Sequence, residues 1–138
     1  MSKLLERLRD PARSGVYRAT RGEAVAEVSR GTSLDAAEID LSGGDALRAI
    51  AKALRFPEWF GGNWDALEDC LGDLSWRKGE GHVFLLRNWQ ALPADDLGVL
   101  IDVLRSSAEF WSGRARPFFA VLVDPGGKLA LPPLYRDA

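Results

Sequence analysis

Asp65, Glu68 and Asp69 stand at i, i+3 and i+4. On an α-helix, at roughly 100° per residue, they span about one quarter to one third of the circumference, so three carboxylates share one face. Trp59, Phe60 and Trp64 lie beside them in sequence. Such a face has a plain reading, a solvated helix surface over an aromatic plug, because charge on an exposed helix is ordinary. It has two chemical readings. Three acids can hold a hard cation through oxygen. Carboxylates held stiffly on a helix can also enter a cationic cleft on another molecule and make charge-assisted, bidentate bonds to Arg. The like charges at i and i+4 repel by roughly a few tenths of a kcal/mol, and no Lys stands at helical spacing to offset them. A metal site is not expected, since all three acids share one turn and no Asp-Gly loop accompanies them.

The elements that must position these groups can be read next. Asn63 suits a helix N-cap, and Asp65 falls in the first turn, where the helix dipole favours a carboxylate. Leu67, Cys70, Leu71 and Leu74 recur at i, i+3, i+4, i+7 and predict a buried face on a helix from Asn63 to about Leu74. Phe56 to Gly62, with Pro57 and the Gly61–Gly62 pair, reads as the loop leading into it.

The run Phe56-Pro57-Glu58-Trp59-Phe60-Gly61-Gly62-Asn63-Trp64-Asp65-Ala66-Leu67-Glu68-Asp69-Cys70-Leu71 resembles the central motif of the barstar family, intracellular inhibitors of secreted ribonucleases. The resemblance covers about Ala36 to Val123. It implies a small three-stranded parallel α/β sheet packed by helices, and no catalysis. It also implies that Asp69 enters the nuclease site, with Asp65 as a second interface aspartate. Trp59 takes the place of an aromatic, usually Tyr, that packs on the partner. Asn63 and Gly61 match loop positions that shape the approach. Glu68 stands where the best-known member has Trp, which exchanges an aromatic contact for a charge. A further interface glutamate of the family falls at Ser106, with Glu109 one turn away.

The partner that the resemblance implies is a ribonuclease or related nuclease toxin, bound one to one by a monomer. The alternative is a basic non-nuclease partner held on the same acidic face without inhibition. A nuclease site built for a phosphodiester presents Arg, Lys and His, so a rigid carboxylate can stand in for the phosphate there.

Composition sets the outer limits. A chain of 138 residues, 46% of them apolar, predicts one folded domain over 1–138. Its barstar-like core is expected at about 36–123, with an N-terminal extension over 1–35 and a Gly/Pro-rich tail over 124–138. A formal charge of −2 argues against broad nucleic-acid binding and leaves any acidic recognition local. No run reaches the ~18 apolar residues needed to span a bilayer, and the N-terminus lacks a signal-peptide h-region, so a cytoplasmic location is expected. The single Cys70, on the apolar face, suits a reducing compartment and a buried inert thiol.

Enzyme signatures are thin. His82 opens an apolar strand with no Ser, Cys or second His pattern, which favours a structural role. Gly43-Gly44-Asp45 follows a strand but forms neither phosphate-loop pattern. No enzyme activity and no cofactor are expected.

Along the chain, Leu4, Leu5 and Leu8 give a short amphipathic helix before Pro11. Val16 to Ala19 reads as a strand and Arg21 to Arg30 as a helix, leaving room for an extra N-terminal edge strand with its own helix. Ala36 to Leu41 is a strand, Gly43-Gly44-Asp45 opens a helix to about Leu54, and Arg77 to Gly81 is a polar loop. His82 to Arg87 and Phe118 to Val123 are continuous apolar runs, as buried parallel strands would be. Asp95 to Trp111 is a long helix, with Trp89 to Pro93 a loop before it.

Overall fold

The computed structural model describes residues 3–135; Met1 and Ser2 of the expected first helix, and Arg136 to Ala138 of the expected tail, lie outside them. Four strands, β1 (Gly15–Ala19), β2 (Asp35–Asp40), β3 (His82–Arg87) and β4 (Phe118–Val123), form one sheet in the order β1-β4-β3-β2. All three pairings are parallel. Five α-helices connect or flank them: α1 (Lys3–Leu8), α2 (Glu23–Ser29), α3 (Ala46–Ala53), α4 (Trp64–Leu71) and α5 (Ala94–Ser112). No helix among the described residues is long and apolar enough to cross a membrane.

The topology explains the layering. The chain starts at one edge, crosses through α2 to the opposite edge, then steps back through α3 and α4 to β3 and through α5 to β4. Parallel crossovers keep one hand, so reversing the direction of travel moves the helices to the other face. One face accordingly packs Phe84, Leu86, Phe118 and Leu122 against Ile50, Leu67, Leu71, Leu100 and Leu104. The other packs Val83, Leu85, Phe119 and Val121 against Leu8, Val25 and Leu134. The apolar runs in β3 and β4 are continuous because alternate side chains are buried on both faces.

The sheet therefore has four strands: the three the resemblance implied and the N-terminal β1 beside β4. The segment before Asp35 does more than add an edge, because α1 and α2 cover the second sheet face. Leu8 is fully buried there. Leu8→Ala is expected to cost about 2–3 kcal/mol, the low end for a buried Leu because a short first helix can partly collapse onto the gap. A urea melt of the two proteins measures it.

The tail is not loose over its described part. Arg18 N–H donates to the Pro132 carbonyl at 3.0 Å, and Leu134 N–H donates to the Arg18 carbonyl at 2.9 Å. Leu131 and Leu134 are buried, so the tail covers the outer edge of β1, whose backbone groups would otherwise be open to another strand. Two connections contain short 3-10 turns, Pro11–Arg13 and Trp89–Ala91, where the sequence suggests only linker and loop. The α4 helix stops at Leu71 rather than near Leu74. The chain leaves the helix at Gly72, and Leu74 turns through φ +50 while keeping its side chain buried.

Candidate functional site

Helix α4 begins as the residues require. Asn63 is extended, and its Oδ1 accepts from Ala66 N–H at 2.8 Å, satisfying one of the free donors of the first turn. Leu67, Cys70 and Leu71 are buried, the two leucines in one core with residues of the sheet and α5, and this fixes which side faces out. Asp65, Glu68 and Asp69 are all exposed. Among the described residues, no salt bridge or side-chain hydrogen bond engages any of the three. Two of the protein's arginines pair elsewhere: Arg77 with Asp35, Arg87 with Glu38. Burial raises the pKa of the Cys70 thiol, and the neighbouring Asp73 and Asp69 charges push the same way, so Cys70 stays a thiol.

Glu68 and Asp69 also line one wall of an open groove of about 420 Å³ between α4 and α5. Its other residues are Gly72, Ser106, Ser107 and Phe110. Ser106 thus shares a groove with Asp69, whereas Glu109 lines a separate depression with Gly15, Tyr17 and Arg105. Glu109 does not take over from Ser106: three residues on, it stands about 60° around the helix and faces the other depression. Phe110 is 39% exposed and has Arg114 stacked over its ring at 4.4 Å. Phe110 was not singled out in the sequence. The signal was there: it is off the core stripe of α5 defined by Leu97, Leu100, Leu104 and Ala108, yet it is aromatic.

The loop before α4 carries the aromatics. Trp59 is 60% exposed. Its ring meets the edge of Trp76 at 6.4 Å between centroids. Phe60 packs edge-on to Phe56 at 4.9 Å, and Phe60 and Trp64 are both half-buried against the main core. So these aromatics divide: Phe60 and Trp64 pack inward, and Trp59 points out. The two loop glycines divide as well. Gly61 has room for a Cβ, whose nearest neighbours would be at 3.7 and 3.9 Å, while Gly62 adopts φ +72. Gly62→Ala is expected to cost about 1–2 kcal/mol, the left-handed penalty for an L side chain, and Gly61→Ala well under that. Thermal melts of both variants decide it, and equal losses would contradict it.

The remaining sequence candidates have structural places. Asp45 caps α3 by accepting from Arg48 N–H at 3.1 Å, and Gly44 turns at φ +79, so Gly43-Gly44-Asp45 is a cap and turn. His82 is buried, with Nδ1 2.8 Å from Asp35 Oδ2. Arg77 grips the same carboxylate with Nε and one terminal nitrogen, each at 2.8 Å. Burial pushes the Asp35 carboxyl up, but the hydrogen bonds from His82 and Arg77 and the Arg77 charge outweigh it, and its pKa lies below the ordinary value. This cluster was not visible in the sequence, since its members lie far apart in the chain and Asp35 and Arg77 look like ordinary loop charges.

Fold and face together define an α/β domain: a parallel sheet carrying a capped helix whose acids are exposed and, among the described residues, unpaired beside an outward aromatic. A family model described as Barstar (barnase inhibitor) matches residues 33–123, and the chain belongs to the barstar family. Members of that family are inhibitors that bind a barnase-type ribonuclease as a protein partner. No curated protein matches the chain.

Proposed function

We propose that this protein is a cytoplasmic, monomeric inhibitor that binds a ribonuclease or related nuclease toxin one to one and blocks its active site without catalysis. Asp69 is the leading contact, placed where the phosphate of the RNA backbone would sit. Asp65 is a second anionic contact one turn earlier on the same face. Glu68 adds charge at the groove. Trp59 covers the cleft where bases would stack, and Asn63 and Gly61 set how the loop approaches.

The observation that carries this reading is the state of Asp65 and Asp69 in a member of this family: exposed, on a capped helix, and engaged by no cation among the described residues. Mounting on a helix limits the ordering cost at binding. Desolvation in a cationic cleft would make each bond stronger than it could be in water.

The test is an inhibition titration against secreted basic ribonucleases, including barnase. A one-to-one endpoint that weakens steeply with added salt supports the reading. Binding that leaves nuclease activity unchanged would instead favour the basic non-nuclease partner. Glu68 and Ser106, which differ from the pattern of the best-known member and line the same groove, are the places where partner choice would be set.

A further inference from the structure

We infer that Trp76 and the buried Arg77–Asp35–His82 cluster form a mount that fixes the orientation of Trp59, an inference that rests on Trp59 contacting the partner as proposed above. Trp59 projects from a loop and its ring packs on the edge of Trp76, at an interplanar angle of 86°. Trp76 itself lies between α4 and β3 in a segment with no regular helix or strand, so something else must hold it.

Three bonds do so. Trp76 Nε1–H donates to the Leu54 carbonyl at 2.9 Å. Arg77 donates to the same carbonyl at 3.3 Å. Leu54 caps α3 just before the aromatic loop, so both residues tie the segment to the root of the loop that carries Trp59. Arg77 is then locked by its fork on Asp35, whose side chain is 8% exposed. Asp35 is rigid because it starts β2, with its N–H on the Gly81 carbonyl at 2.8 Å. His82 completes the grip. An ionised carboxylate only accepts, so the His82 proton is assigned to Nδ1. The far end of the segment is also pinned, by Arg116 donating to the Gly79 carbonyl. A Cβ on Gly79 would come within 2.7 Å of the Asp35 nitrogen, which shows how closely the segment lies on the cluster.

A buried ion pair is a poor source of net stability compared with apolar packing, but it fixes geometry because its bonds are directional. Here the fixed geometry ends at an exposed indole. Asp35, Arg77 and Trp76 are positioning residues in this sense and need not touch the partner.

The experiment follows the Trp59 indole N–H by ¹⁵N relaxation in the full chain, in wild type, Trp76→Ala and Asp35→Asn. The wild-type indole should be ordered, near 0.85, and should fall toward about 0.6 or lower in both variants, with the amide shifts of α4 and the sheet retained. If Asp35→Asn fails to fold, Trp76→Ala alone decides. Binding to barnase as the probe supplies a second arm. Trp76→Ala should weaken it roughly two- to tenfold, as expected for loss of an edge-on aromatic contact. The loss should not add to that of Trp59→Ala, while it should add to that of Asp65→Ala. A Trp59 indole equally ordered in all three proteins, or losses that add for Trp59 and Trp76, would overturn the mount. Wild type that fails to bind barnase counts against barnase as partner, and the relaxation result then decides the mount by itself.

Discussion

Asp69→Ala should leave the fold unchanged and remove most of the inhibition. The side chain is exposed and, among the described residues, unpaired, so its loss changes stability by less than about 0.5 kcal/mol and even relieves repulsion with Asp65 at i, i+4. In the proposed complex the same carboxylate would be desolvated among cations. Truncating one partner of such a pair costs about 2–5 kcal/mol or more, a range to which barnase with its own inhibitor already contributes, and this corresponds to roughly thirty- to several-thousand-fold in affinity. Part of that loss is the penalty of leaving the nuclease cations buried and unpaired. The check is an inhibition constant and a melting curve on the same variant. An inhibition constant within about threefold of wild type, with the fold intact, would remove Asp69 from the centre of the interface.

Asp35→Ala is expected to have the largest effect on stability of any single charged residue in the chain. It removes the acceptor shared by Arg77 and His82, whose side chains are only 16% and 2% exposed. Breaking a buried pair by deleting one partner costs about 3–5 kcal/mol, because the other charge stays behind without compensation. Against a typical domain stability of about 5–15 kcal/mol, that brings the protein close to unfolding at moderate temperature.

The effect should also depend on pH. The folded-state pKa of Asp35 lies below its unfolded value. Its ionised form therefore stabilises the fold above about pH 4, and that contribution is lost as pH falls through the folded value. Denaturant melts of wild type and Asp35→Asn should differ most near neutrality and converge in acid. A gap between the two that stays constant from pH 7 to pH 3 would mean that Asp35 is not held as an ionised acceptor.

Much of the candidate face was legible because its signals are local. An Asn followed by an acid in the first turn marks a helix start, and four apolar residues at helical spacing fix the buried side. What faces water then follows by subtraction, which is how Asp65, Glu68 and Asp69 could be placed outward. The continuous apolar runs at His82–Arg87 and Phe118–Val123 likewise announced strands buried on both faces. A strand covered on both sides needs a second helical layer, and the chain order left only the N-terminal residues to build it. The full burial of Leu8 and Val25 under the sheet is the outcome.

The end of α4 was less legible. Leu74 keeps the helical spacing of its apolar face, so periodicity alone extends the helix to it. Burial of the side chain does not require helical backbone, and Leu74 reaches the core from a turn instead. The same limit applies to Gly61 and Gly62: sequence shows a flexible pair, and only the backbone angles show that the second of them needs to be glycine.

The amino-acid sequence by itself determined the motif helix, its outward acids, the parallel α/β plan and the family, because each rests on residues within a few turns of one another. The tertiary structure alone decided that Asp35, Arg77 and His82 share one carboxylate, that Ser106 and Phe110 border the same groove as Asp69, and that the tail covers β1. Those are contacts between segments tens of residues apart. Their partners are selected by which faces the packed sheet and helices bring together, and no local spacing encodes that choice.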